Sequence, residues 1–424
     1  MNDAGKSGIS LRHGIAIYIS SVLGGGILIL PGIAADASGP SSILAWIVLS
    51  FASFPFAYTF SRLAMRAQGS GGIYSFSLEA FGRGIGNGVG WLFLAWVVIG
   101  APAVAIAAAT YLSFSIPLTR VEIFLVAFLL IASVTFINYR GIRFSANLQL
   151  SIIIVLISLL GISIIAAIPR ISLNFFHPFF IGNGFVSVGT AMALVIWAYF
   201  GYENVPNLAG EFSDLQKDMR RSVLYSVVII SLLYASVSIV TVGTDAYKSG
   251  NGLVPFAAIL SGLFGVYGGF VAGIIAMVAI FSTMNAYFAG LSRVIHAVSS
   301  NGGFPPILSS EAKQKNKFGR ATLLLGVLGT LSLSLFWISN VTIETAFLIV
   351  SGIGVTTYII GSAAGIKMLD LRGWRRYIPW ASLAISAVIV IFIGKLMVFS
   401  IGVFLVSLVY TMFKDRKKYL AYLP

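Results

Sequence analysis

Residues 20–32 read SSVLGGGILILPG, an apolar run with three consecutive glycines, Gly24, Gly25 and Gly26, at the middle of the first hydrophobic stretch. Each glycine weakens a helix by about 1 kcal/mol relative to alanine, so the pattern predicts a helix that unwinds inside the membrane. Backbone N–H and C=O groups freed at such a break are tolerated only where they face protein, water or a bound ligand. The competing reading of the same glycines is an unbroken helix packed closely at small residues.

The flanks place this stretch in a membrane protein. The 424 residues are 58% hydrophobic and 9% charged, whereas a water-soluble chain is roughly 25% charged because its surface must be wetted. Apolar runs of membrane-crossing length cover approximately 13–35, 41–62, 85–114, 121–138, 147–168 and 185–208. A second set covers about 222–243, 263–297, 321–338, 342–368, 378–395 and 397–413, giving twelve expected spans and no room for a separate soluble domain. The net charge of +14 falls in short basic clusters between these runs. That pattern fits membrane topology better than a nucleic-acid partner. A cytoplasmic N-terminus puts 23 of the 27 Lys and Arg inside and only Arg120, Arg170, Lys248 and Lys395 outside, as the positive-inside rule prefers. An even span number then puts the C-terminus inside as well. The start, MNDAGKSGIS, lacks the pattern of a cleaved leader, so the first run is expected to be retained.

The sixth run supplies a second interruption. Residues 197–212 read WAYFGYENVPNLAGEF, with Gly201, Glu203, Asn204 and Pro206 inside an otherwise apolar stretch. Spans one and six lie five apart, an odd offset that inverts one relative to the other. Helices one to five (about 13–168) and six to ten (about 185–368) are therefore expected to form an inverted repeat, with helices eleven and twelve (about 378–413) outside it. Interrupted segments at matching positions of two halves are a sequence pointer to a transporter binding site.

At these residues the chain resembles the amino acid, polyamine and organocation transporter superfamily. Its first motif is matched by Gly24, Gly25, Gly26, Ile27, Leu28 and Pro31. Further matches are GGIYSFSLEAFG (71–82), NYRGIRFSANLQ (138–149), FGYE before AGEF on the sixth span, and LSRVIHAVSSNGGFPP (291–306). SANLQ and LAGEF are similar to the bacterial exporters of methionine and branched-chain amino acids. One departure is the absence of proline in Gly210, Glu211, Phe212, Ser213 and Asp214, where the family usually has an acidic pair and Asn-Pro. The resemblance implies an all-α membrane protein of twelve transmembrane helices, a single domain with the leucine-transporter-type 5+5 inverted repeat and broken helices 1 and 6. It also implies a substrate carboxylate on the N-terminal end of the half-helix beginning near Gly25, and the substrate amine on carbonyls around Val22 and from Trp197 to Phe200; Gly24, Gly26, Ile27 and Gly201 complete the candidate substrate-binding set. Physical chemistry agrees, because a helix N-terminus carries free N–H groups and a partial positive charge.

No Lys or Arg lies in the middle of a span, so a second substrate carboxylate would find no cation to offset its desolvation. The expected substrate is neutral, with an apolar side chain lined by aromatics such as Trp96, Trp197, Tyr199, Phe200, Tyr202 and Tyr287. For each ring, ordinary packing is the plainer reading. Phe200 adjoins the break and is a candidate gate; Tyr287 aligns with the ligand-facing part of the family's eighth helix. Glu203 is an acid inside a span, where a bare charge costs several kcal/mol unless paired or protonated. It is a candidate for gating or proton coupling, for holding a cationic substrate, or for bonding freed backbone. Ser282 and Thr283 are a candidate sodium site with helix-one carbonyls, although hydroxyls in membrane helices more often bond their own backbone. The lysine that some proton-coupled relatives carry on helix five is absent.

His13, His177 and His296 lie far apart along the chain, and with no cysteine there is no expected metal site or cofactor. Neither an H-E-x-x-H nor a P-loop motif occurs, so an enzyme is not expected. The sequence reading is a secondary active transporter of neutral amino acids in the plasma membrane, working by alternating access with proton coupling or exchange. A polyamine or organocation carrier and a non-transporting amino acid sensor are the alternatives. Direction does not follow from sequence, since a carrier runs down whichever gradient is larger.

Overall fold

Where the glycine run begins, the Leu23 and Gly24 amides fold back onto the carbonyls of Ile19 and Val22 at 2.7 and 2.8 Å and end the first helix, α1 (Leu11–Val22). A new helix, α2 (Gly26–Ser38), restarts at the third glycine. This computed structural model describes residues 9–67, 72–141, 146–203, 212–248, 251–309 and 317–420. Among them the protein is helical throughout, with one isolated bridge between Ile9 and Phe212.

The remaining helices are α3 (Ser42–Ala67), α4 (Gly72–Phe81), α5 (Arg83–Ser113), α6 (Arg120–Tyr139), α7 (Ala146–Ala167) and α8 (Phe185–Val195), the last ending in a tight turn over Ile196–Tyr199. They continue with α9 (Arg220–Gly243), α10 (Pro255–Ser300), α11 (Gly319–Ser339), α12 (Ile343–Met368), α13 (Ile378–Ile393) and α14 (Met397–Leu420). Local signals account for several starts. Thr119 and Glu122 form a reciprocal capping box on α6, and Thr342 accepts the Thr345 amide at the start of α12.

Among the described residues, nine helical stretches are long and apolar enough to cross a membrane. Two of them, Gly26–Arg66 and Gly373–Lys414, turn within their length at Gly39 and Gly394, which adopt φ of +59° and +61°. The apolar helix over Phe185–Tyr199 is shorter. Two features depart from the sequence reading. The 71–82 motif, which lies outside every expected span, forms a short helix, α4, over Gly72–Phe81. The run expected to begin near 263 is helical from Pro255 and bends at Phe264 and Gly265, whose φ of +65° only glycine adopts readily. Asn204, Pro206, Gly210, Glu211, Gly71 and residues 142–145 lie outside the described residues.

Burial sorts the helices. In α5 and α12 the most apolar window is 72% buried, against 22% in α7 and in Gly373–Lys414. α5 is the hub, packing on α4, α6, α10, α11, α12 and α14. Its buried Ala103, Ala105, Ala107 and Ala108 let neighbouring backbones approach closely, as small residues do in membrane bundles. The second half of the broken first segment, α2, is buried along nearly all its length and packs on α8, α9 and α10.

Candidate functional site

The two interruptions meet. Gly201 has φ of +131°, and a Cβ there would stand 2.4 Å from the Ser21 carbonyl oxygen, so the backbones of α1 and of the stretch after α8 touch where no side chain fits. The Ser21 hydroxyl donates to the Gly201 carbonyl at 2.9 Å. From α9, the buried Tyr234 hydroxyl lies 2.7 Å from the Ala198 carbonyl and 3.2 Å from that of Val22. A hydroxyl has one proton to donate, so Tyr234 is held mainly by Ala198 and bridges the ends of both half-helices.

Beyond the break, the Leu28 amide closes on the Gly25 carbonyl at 3.2 Å in a tight first turn. Gly26 and Ile27 open α2, so their amides have no preceding helical turn to receive them. The partial positive charge of a helix start is centred there. Trp197 packs on Gly26 and Ile280 on Gly25.

Two cavities that share part of their lining adjoin this point. The larger, about 230 Å³, is lined by Ser20 and Ser21 of α1, Gly72 and Ile73 of α4, and Glu203 and Arg293 among others. It runs from the break toward the end of the bundle that carries α4 and the C-terminal part of α10. The smaller, about 40 Å³, is apolar, with Gly25 and Trp197 on one side and Gly100, Val104, Met284 and Phe288 on the other. Trp96, Val97, Thr283 and Tyr287 line both. On the other side of the break α2 is closely approached by the loop before α10, since a Cβ on Gly32 would meet the Gly252 carbonyl oxygen at 2.1 Å.

Glu203 is 2% exposed. Its Oε2 accepts the Gly201 amide at 2.7 Å and the Tyr358 hydroxyl of α12 at 2.5 Å. The carboxyl group thus receives an amide freed by the break. Oε1 is buried without a hydrogen-bond partner among the described residues.

The predicted residues separate by position. Gly25, Trp197 and Tyr287 face the small pocket, and Glu203, Ser282, Thr283 and Tyr287 face the larger cavity. Gly24 packs against the Thr283 side chain, and Ile27 is wholly buried. Tyr199 turns away, its hydroxyl bonded to Ser50 at 2.9 Å and donating to the Trp46 carbonyl at 2.8 Å. Tyr202 is buried, with its ring centroid 6.4 Å from that of Tyr18. Phe200 lines neither cavity; it is wedged among Trp96, Tyr358 and Gly354, with ring centroids 4.9 and 4.7 Å away. Thr283 Oγ1 donates to its own helix at Ala279, 2.9 Å away. Among the described residues no group of His, Asp and Glu side chains is arranged to hold a metal ion. Sequence reading missed Ser21, Tyr234 and Tyr358. The hydroxyls in the first, seventh and tenth apolar runs were visible, but nothing in their spacing assigns them partners.

A bundle of apolar helices with two interrupted segments meeting beside a shared cavity defines a helical membrane protein. The amino acid permease family model matches residues 9–420, and the chain belongs to that family of membrane transporters, not enzymes. It is 31% identical over 368 residues to the uncharacterized amino acid permease YecA of Bacillus subtilis (strain 168), covering 86% of this chain and 87% of that one. Identity to the L-methionine/branched-chain amino acid exporter YjeH of Escherichia coli (strain K12) is 29% over 374 residues, 87% of each chain. The branched-chain amino acid permease BcaP of Bacillus subtilis (strain 168) is 26% identical over 362 residues, 78% of this chain and 77% of that one.

Proposed function

We propose that the protein is a secondary carrier of neutral amino acids with apolar side chains, working by alternating access in the plasma membrane. The observation that carries this reading is the small apolar pocket opening directly beside Gly25 at the start of α2. A carboxylate on the amides of Gly26 and Ile27, with an ammonium group on nearby carbonyls such as Val22, directs the side chain toward Trp96, Trp197 and Tyr287. No acid or base lines that pocket, so a charged side chain would be desolvated without compensation. Similarity to a methionine and branched-chain exporter and to a branched-chain permease points the same way.

The proposed architecture is one domain of twelve spans. It divides Gly26–Arg66 at Gly39 and Gly373–Lys414 at Gly394, and counts the α1–α2 pair and the Phe185–Tyr199 stretch as broken helices related by a 5+5 inverted repeat. With both termini cytoplasmic, the larger cavity faces the cytoplasm. Transport then requires α1, α2 and the segments around Gly201 to rock against the remaining scaffold, with Phe200 as a gate released from Trp96 and Tyr358.

Coupling is assigned to a proton at Glu203 or to exchange. The unpartnered Oε1 of Glu203 beside the cavity supports one second reading, a carrier of organic cations. Thermal denaturation of the purified protein with each of the twenty amino acids and with putrescine, with and without sodium, separates the two, because a ligand stabilises the state it binds. Stabilisation by leucine, isoleucine, valine or methionine without sodium is the expected result. Stabilisation by putrescine alone would overturn the neutral-substrate reading.

A further inference from the structure

One continuous face of α10 lines the larger cavity. Thr283, Ala286, Tyr287, Gly290 and Arg293 recur at helical spacing and all border it. Gly24 of the break packs on Thr283 and Gly25 on Ile280, which sets the level of the candidate substrate site on this face. Arg293 lies ten residues beyond Thr283, about 15 Å further along the axis. Between them Tyr287 borders both cavities, and at Gly290 the space is open, since a Cβ there would meet nothing within 4 Å.

Arg293 therefore stands beside the way from the break to the far end of the cavity. It is exposed, and its guanidinium lies 6.0 Å from the centroid of the Phe318 ring, just before α11. An aromatic ring has no net charge, so that contact leaves the positive charge in place. Among the described residues that line the two cavities, Arg293 is the one Lys or Arg and Glu203 the one acid. Glu203 belongs to the level of the break, where it holds the Gly201 amide. The two charges thus mark opposite ends of the cavity, with the cation away from the break. The wall between them includes Ile152, Ile153, Leu156 and Val294, and low-dielectric walls concentrate the field of a charge within a cleft.

We propose that Arg293 is a charge filter of this cavity, a specificity-determining residue that depletes solutes of net positive charge and lets zwitterions through. A zwitterion carries both signs a few bonds apart and is attracted and repelled almost equally, whereas a cation is only repelled. The filter keeps organic cations from the unpartnered Oε1 of Glu203. What is selected rests on the carrier reading given above; the charge of the cavity does not.

The chain has no cysteine, so a single thiol placed deeper than Arg293 reads the field. Ala286 is exposed in the cavity and lies seven residues before Arg293, about 10 Å along the helix. In the detergent-purified full chain carrying Ala286→Cys, anionic sulfonatoethyl methanethiosulfonate should outpace cationic trimethylammonioethyl methanethiosulfonate on the order of tenfold, relative to their rates with a free thiol. Adding Arg293→Gln should abolish that bias, Arg293→Lys should keep it, and high salt should shrink it. In leucine counterflow at pH 6.5, leucinamide is a cation with the same side chain as leucine. Arg293→Gln should make it several-fold more effective as a competitor, while half-saturation by leucine changes less than twofold; a merely structural role would move both together. An unbiased thiol in the otherwise unaltered chain, a bias that survives Arg293→Gln, or a thiol that reacts with neither reagent would overturn the filter. So would leucinamide competition that Arg293→Gln leaves unchanged. The thiol rates do not depend on leucine transport, so failure here is distinguishable from failure of the carrier reading.

Discussion

Single residues set the geometry at the crossing, and Gly201 is the most constrained of them. Alanine there would have to hold φ of +131° and place a Cβ against the Ser21 carbonyl. Gly201→Ala is predicted to lower stability by about 2 kcal/mol or more, read as a fall in the midpoint of thermal denaturation, and to remove transport. An unchanged midpoint would mean that the two backbones do not touch. Glu203 was legible in the sequence, since a carboxyl group inside an apolar run is costly and announces itself. Its partner was not, because Tyr358 lies 155 positions away and only the fold brings the two together. The pair yields a prediction with two arms. If Glu203 carries the coupling proton, Glu203→Gln should leave leucine exchange active but insensitive to pH, whereas Tyr358→Phe should shift the pH profile without flattening it. A glutamine variant with an unaltered pH profile would rule out the coupling role.

At the level of elements, agreement is closest where charge marks a boundary. The fourth run, read as 121–138, is the helix Arg120–Tyr139, and the tenth, read as 342–368, is Ile343–Met368. Boundaries failed where no charge marks them. Pro255 to Val266 carries no charge and a single polar residue, Ser261, so the bend at Phe264 and Gly265 is invisible to hydropathy. With 10 residues, α4 is too short to register as a span. The interruption in the first helix was legible because three glycines are a backbone property written in the sequence. The side-chain pocket beside it was legible only in its rings, Trp96, Trp197 and Tyr287; the rest of its wall, from Gly100 and Val104 of α5 to Met284 and Phe288 of α10, carries no local signal. The element-scale prediction concerns the start of α2. A Cβ at position 25 would come within 2.6 Å of the Ile280 side chain, so Gly25→Val should crowd the pocket and weaken leucine binding by roughly tenfold or more, measured by titration calorimetry. Unchanged affinity would place the substrate elsewhere.

For the whole molecule, the fold class followed from composition, since a chain with so few charges has only lipid to dissolve in. The proposed orientation rests on the uneven distribution of Lys and Arg. The chain contains no cysteine, so single cysteines report topology without background. In intact cells, a membrane-impermeant maleimide should label Lys248→Cys and spare Ser300→Cys, and both should react after lysis; the opposite pattern would invert the proposed orientation.

The central claim is that the site at the two broken segments carries an amino acid across the membrane, rather than merely holding one. Counterflow tests it most directly: proteoliposomes loaded with unlabelled leucine are diluted into a trace of labelled leucine, and internal label is followed with time. The account predicts transient accumulation of label above equilibrium, abolished by Gly201→Ala. Saturable leucine binding by the same preparation with no accumulation of label would contradict it and make the protein a sensor.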